Sequence, residues 1–128
     1  MQTVYHFTAR RFFRSILIRG ICFGKILKSF SPLAFINGYQ WVTINPDFEQ
    51  SWAKGTGRLS YKRNEVRFTI QIPEGEKHRL KPWNQMRFMV PETAEDLSSF
   101  GDPENWCLFE GTICSSWIVK TDFKEGEE

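Results

Sequence analysis

The stretch VYHFTARRFFRSILIRG, residues 4–20, sets the reading of the whole chain. Val4 to Thr8 is β-branched and aromatic, which predicts a strand, and from Ala9 to Arg19 the apolar spacing becomes helical. Phe12, Phe13, Ile16 and Leu17 fall on one helical face, whereas Arg10, Arg11, Arg14 and Ser15 lie towards the other. Thr8 suits the N-cap, where a hydroxyl accepts a bond from an orphan N–H of the first turn. Gly20 suits the stop, because it tolerates the left-handed backbone found there. Within the strand, alternation sends His6 and Thr8 to one face and Tyr5 and Phe7 to the other. One side is expected to pack rings and the other to present an imidazole and a hydroxyl.

Further along, Ile21 to Tyr39 carries Gly24, Pro32 and Gly38 among scattered apolar residues, and predicts a short strand followed by an irregular loop. Trp41 to Asn45 reads as a strand, Asp47 to Ala53 as a brief helix entered through Pro46, and Lys54 to Gly57 as a flexible break. The cleanest alternation is Glu65 to Ile72, with Val66, Phe68, Ile70 and Ile72 on one face and Arg67, Thr69 and Gln71 on the other. Lys77 to Lys81 is a basic turn, Glu92 to Phe100 a short helix, and Gly101-Asp102-Pro103 a turn. Strands near Trp106 to Phe109 and Trp117 to Asp122 close the chain. This succession predicts an α+β fold in one domain over residues 1–123, with 124–128 as a charged tail that frays.

The length agrees with one domain: 128 residues support one hydrophobic core rather than two. Aromatic residues make up 16% of the chain, a high share that provides large buried areas. A formal net charge of +2 argues against a protein that coats nucleic acid non-specifically. Three cysteines, Cys22, Cys107 and Cys114, do not make a paired disulfide framework, and this predicts a reduced, cytoplasmic setting. No apolar run approaches the roughly 20 residues that span a bilayer, so a membrane partner is not expected.

The usual metal signatures are missing, with no Cys-x-x-Cys, no His-Glu-x-x-His and only 2 histidines. Gly-x-Ser-x-Gly and a phosphate loop are missing too. His6 is the residue left with chemistry to offer. It either satisfies its nitrogens on backbone partners, or bonds a ligand hydroxyl and works as an acid or base near neutral pH. Arg67, on the polar face of its strand, either meets water or holds a phosphate by bidentate bonds. The five tryptophans Trp41, Trp52, Trp83, Trp106 and Trp117 are mostly expected in packing, with a base-stacking platform as the alternative. Lys77, His78, Arg79 and Lys81 beside Trp83 form the best basic-aromatic cluster for nucleic acid, and a solvated turn explains it equally well.

Tyr5-His6-Phe7-Thr8, a helix ending in Ile18-Arg19-Gly20-Ile21, and Trp41-Val42-Thr43 with a short helix after it together resemble the N-terminal half of the ADP-ribosyltransferase-like fold. The pattern is similar to the opening of bacterial DNA-modifying ADP-ribosyltransferase toxins and, less closely, of the NAD-using RNA 2'-phosphotransferases. It covers about residues 4 to 72. The resemblance implies a mostly antiparallel split sheet with a few short helices. It implies NAD as the bound nucleotide, with His6 contacting the ribose near the nicotinamide and Thr8 assisting from the same face. It further implies an aromatic residue stacked on the nicotinamide, for which Tyr39, Trp41 and Tyr61 are candidates. Glu110 would be the acidic residue that orients ribose and acceptor, and Arg67 the pyrophosphate partner.

The chemistry is intelligible from the side chains alone. Breaking the nicotinamide glycosidic bond builds positive charge on the ribose, which a carboxylate stabilises while it positions the nucleophile. The resemblance therefore implies a transferase carrying ADP-ribose from NAD to a protein or nucleic acid, whether as a toxin, a phage-related effector or a housekeeping protein. Two alternatives stand beside it: a catalytically inactive binding module of the same fold, and an NAD-dependent RNA 2'-phosphotransferase-like enzyme.

Overall fold

The computed structural model describes residues 1–48, 64–99 and 101–124. At its centre lie two long neighbouring strands, β1 (Gln2–Thr8) and β5 (Val66–Ile72), paired antiparallel along their whole length from Gln2↔Ile72 to Thr8↔Val66. The register puts Val4, His6 and Thr8 on the same face as Val66, Phe68 and Ile70. Between these strands come α1 (Phe13–Arg19), β2 (Lys25–Phe30), β3 (Leu33–Asn37) and β4 (Tyr39–Thr43). After them come β6 (Leu80–Pro82), α2 (Trp83–Met86), α3 (Ala94–Ser98), β7 (Trp106–Glu110) and β8 (Ile118–Phe123). Among the described residues, six strands make one antiparallel sheet in the order β6-β7-β4-β1-β5-β8, and β2-β3 form a separate hairpin. This is a small α+β domain with a mainly antiparallel sheet and a few short helices.

The sheet carries a core on each face. On one, Val4, Val42, Phe68, Ile70 and Phe109 pack under Phe13 and Ile16 of α1. On the other, Trp41, Trp83 and Trp106 cluster with Leu108, Ile26 and Met86. Their rings lie 5.2 to 6.5 Å apart, and the Trp83 indole N–H donates to Ser98 Oγ at 2.8 Å. Alternation along β4 and β7 explains the division. Val42 and Phe109 face one core, while Trp41 and Leu108, which pair across the strands, face the other.

Several expectations need correction. Residues 21–39 are not an irregular loop: β2 and β3 form a hairpin from Lys25↔Asn37 to Phe30↔Leu33. Pro32 lies in its reversal and Gly24 and Gly38 outside its ends, so none of the residues that looked like breakers interrupts the ladder. Thr8 is not the helix cap. It is the last residue of β1, Ala9 precedes the first helical turn, and the carboxylate of Glu65 accepts from the Arg10 amide at 2.9 Å. The buried stripe of α1 is narrower than its spacing implied, since Phe13 and Ile16 pack while Phe12 and Leu17 stay exposed. His6 and Thr8 do not form a polar side opposite the rings. They share the face of Val4 and Phe68, and Phe7 is buried against Phe48 on the other. Gly20 ends α1 as expected, with φ +82° and its amide bonded to the Ile16 carbonyl. Most of the helix expected over Asp47–Ala53, the Lys54–Gly57 break, Trp52 and Tyr61 fall outside the described residues.

Candidate functional site

β1 and β4 are neighbours in the sheet, yet they pair only at Tyr5↔Thr43. Beyond that point the strands part. His6 stands where they separate, and its Nδ1 donates to the Trp41 carbonyl at 2.9 Å, so a side chain takes the place of a ladder bond. A carbonyl can only accept, so Nδ1 carries a proton, and in the neutral ring Nε2 is the acceptor.

The opening is a cleft of about 730 Å³. Tyr5 to Ala9 form one wall and Gln40 to Thr43 the facing one. Residues 20–25, Phe12 and Phe35 also line it. Among the described residues the lining is mostly apolar, with Lys25 as its one Lys or Arg and no Asp or Glu.

Gln40, which sequence reasoning passed over, holds the wall in place. It is fully buried, accepts from the Gly24 amide at 2.7 Å and donates to the Gly111 carbonyl at 3.0 Å. Gly38 completes the knot, its amide donating to the Gly24 carbonyl and its carbonyl accepting from Gly111. A Cβ on Gly24 would run into the Tyr39 carbonyl and the Gln40 side chain. The one signal available was a glutamine among the apolar residues of a strand.

The structure thus brings His6, Thr8 and Trp41 to one cleft. Trp41 reaches it half-buried, with its indole N–H donating to the Lys25 carbonyl at 3.0 Å. Tyr39 and Glu110 are not in the lining. They face each other across β4 and β7, with the phenol 3.5 Å from a Glu110 oxygen. Burial, followed by the neighbouring carboxylate charge and this hydrogen bond, pushes the Tyr39 phenol above its ordinary value. Glu110 is exposed, and its backbone carbonyl accepts from Arg79 Nε at 2.8 Å.

Arg67 is carried on the face opposite His6, outside the cleft. It pairs with Asp122 at 3.0 Å, donates to the Pro46 carbonyl at 2.7 Å and lies over the rings of Tyr5 and Phe48. The basic-aromatic cluster near residue 80 is split, with Lys77 and His78 exposed and the tryptophan turned inward. Trp83 is fully buried, Arg79 pairs with Glu76, and Lys77 lies 3.6 Å from Glu74.

Elsewhere, burial raises the Cys107 thiol and keeps it protonated near neutrality. Among the described residues no group of three His, Cys, Asp or Glu side chains is placed to hold a metal ion. None of the described helices is long and apolar enough to cross a membrane. Comparisons with family models, curated proteins and solved structures found no match.

Proposed function

We propose that the cleft between β1 and β4 binds NAD and that the protein is an ADP-ribosyltransferase-like enzyme acting on a macromolecular acceptor. The observation that carries this reading is the parting of two adjacent strands at His6, whose ring bonds the Trp41 backbone at the cleft wall. A dinucleotide suits the cleft: its volume lies within the roughly 300–1,000 Å³ usual for small-molecule sites, with apolar walls and few polar groups. In this reading His6 is oriented through Nδ1 and directs Nε2 at a ribose hydroxyl. Thr8 acts from the same strand face, and Trp41 supplies an aromatic surface. Lys25, the cation of the lining, takes the pyrophosphate in place of Arg67. Glu110 is the proposed acid, with its side chain outside the lining, beside Tyr39 on the sheet face opposite His6.

Titration calorimetry with NAD tests the first part. Saturable binding that His6→Ala weakens is expected; no heat at millimolar NAD would remove the reading. Nicotinamide release tests the second, and loss of release in Glu110→Gln with NAD binding retained is expected. That no carboxylate lines the cleft among the described residues favours one competing reading, a binding module of the same fold. NAD binding without nicotinamide release by the unmodified protein would select it.

A further inference from the structure

Both ends of the six-stranded sheet are guarded against a further strand. β6 is only Leu80-Lys81-Pro82, and β8 carries Lys120 and Asp122 and a break in register against Thr69 and Ile70. β3 has none of these devices. Its five residues, Leu33-Ala34-Phe35-Ile36-Asn37, are uncharged and free of proline, and among the described residues β2 is the one strand it pairs with. The direction of the ladder shows which of its groups are open. The Trp41 indole and the Thr93 hydroxyl donate to the Lys25 and Leu27 carbonyls, and the Glu92 carboxylate accepts from the Phe30 amide. At these three residues β2 therefore turns its backbone groups away from β3, and the residues paired with them, Asn37, Phe35 and Leu33, turn theirs to the outer edge. Among the described residues no hydrogen bond reaches those edge groups. Leu33 is 66% and Phe35 38% exposed.

We propose that β3 pairs antiparallel with β3 of a second copy of the chain, joining two hairpins into one four-stranded sheet. With Phe35 on the two-fold axis, it faces Phe35 of the second copy, and Leu33 faces Asn37 of the second copy. Every open N–H and C=O of the edge then meets an open partner. A slip of one residue would set these open groups against groups already turned to β2, and a slip of two would leave an end residue unpaired. The edge thus matches itself group for group, which selects a second copy over an unrelated extended segment. No charge stands on either β3 to oppose the approach. Lys25 lies one strand away, its ammonium 4.1 Å from the centre of the Phe35 ring. A two-stranded ladder is marginal by itself, and pairing doubles its strands. This contact does not depend on what the cleft binds.

Sedimentation velocity of the full chain over a concentration series tests the proposal. A monomer–dimer equilibrium is expected, and hydrogen exchange at the Leu33, Phe35 and Asn37 amides should slow as concentration rises while exchange at Ala34 and Ile36 does not change. Phe35→Glu should weaken dimerisation roughly tenfold or more, because it opposes like charges at the axis. Phe35→Lys should do the same, and an equimolar mixture of the two variants should dimerise again. Position 35 is exposed, so an unchanged circular dichroism spectrum will show that the variants fold. Val119→Glu, on the β8 edge, should leave the dimer intact. A chain that stays monomeric at every concentration overturns the proposal, as does a dimer that Phe35→Glu leaves intact or that Val119→Glu abolishes. Slow exchange at the Leu33, Phe35 and Asn37 amides in a monomer would assign the edge to another segment and also overturns it.

Discussion

Gln40 and Asp102 show how single polar side chains hold this molecule at places where its backbone ladders end. Gln40 satisfies one donor and one acceptor on segments far apart in sequence, at zero exposure. Gln40→Leu keeps the volume and orphans both, at about 1–3 kcal/mol each, so a urea titration should show a loss of about 2–6 kcal/mol. Asp102 is opposed by partial burial, which favours its neutral form. Hydrogen bonds from Asn105 and Asn45, with backbone and Trp106 donors, outweigh that effect, and the carboxyl lies below its ordinary value. Its contribution is therefore complete above the unfolded value of about 3.9 and is lost as pH falls through the lower folded value. Asp102→Asn should flatten the acid limb of the stability profile below about pH 4, measured by thermal melts across pH. An unchanged limb would show that other carboxylates carry it. Neither role is legible in sequence, because each partner of Gln40 and the Asn45 partner of Asp102 come from another segment of the chain.

At the scale of elements, α1 and the strand before it are the most legible part of the chain. Alternation to Thr8, a change of period at Ala9 and a stop at Gly20 all appear in the structure, since each depends on neighbours in sequence. Gly20 carries the strongest local demand: φ is +82° and ψ is −174°, backbone that is essentially glycine-only, and a Cβ would strike the Ile113 carbonyl. Gly20→Ala should cost about 1–3 kcal/mol in conformational strain alone. Gly75→Ala, at a position with open space around it, should change the denaturation midpoint little. Equal effects would mean that the Gly20 turn is not a constraint. The hairpin β2-β3 was misread for the opposite reason. Its strands leave Phe30, Leu33 and Phe35 exposed, so no polar-apolar alternation marks them, and what holds them is their mutual pairing, the burial of Ile26 and bonds to β2 from Trp41, Thr93 and Glu92. Glu65 caps the first turn after β1 because β5 lies beside it, a tertiary neighbour that no local cap rule detects.

For the whole molecule, one sheet with a core on each face predicts cooperative loss of both. Phe68 belongs to one core and Trp83 to the other, each fully buried. Replacing either by Ala should cost about 3–5 kcal/mol. Unfolding followed by tryptophan fluorescence, to which Trp41, Trp83 and Trp106 of one core and Trp117 against the other contribute, should coincide with unfolding followed by far-ultraviolet circular dichroism. Separate transitions would show that the two faces unfold independently. By itself the sequence determined the strand at 66–72, the opening strand and helix and the α+β class, because periodicity and stop signals act between near neighbours. Only the tertiary structure decided that β1 and β4 part at His6, that Trp41 enters that opening while Tyr39 turns to Glu110, and that Arg67 is committed to Asp122. Those outcomes depend on strand order and register, which are set by the packing of segments distant in sequence.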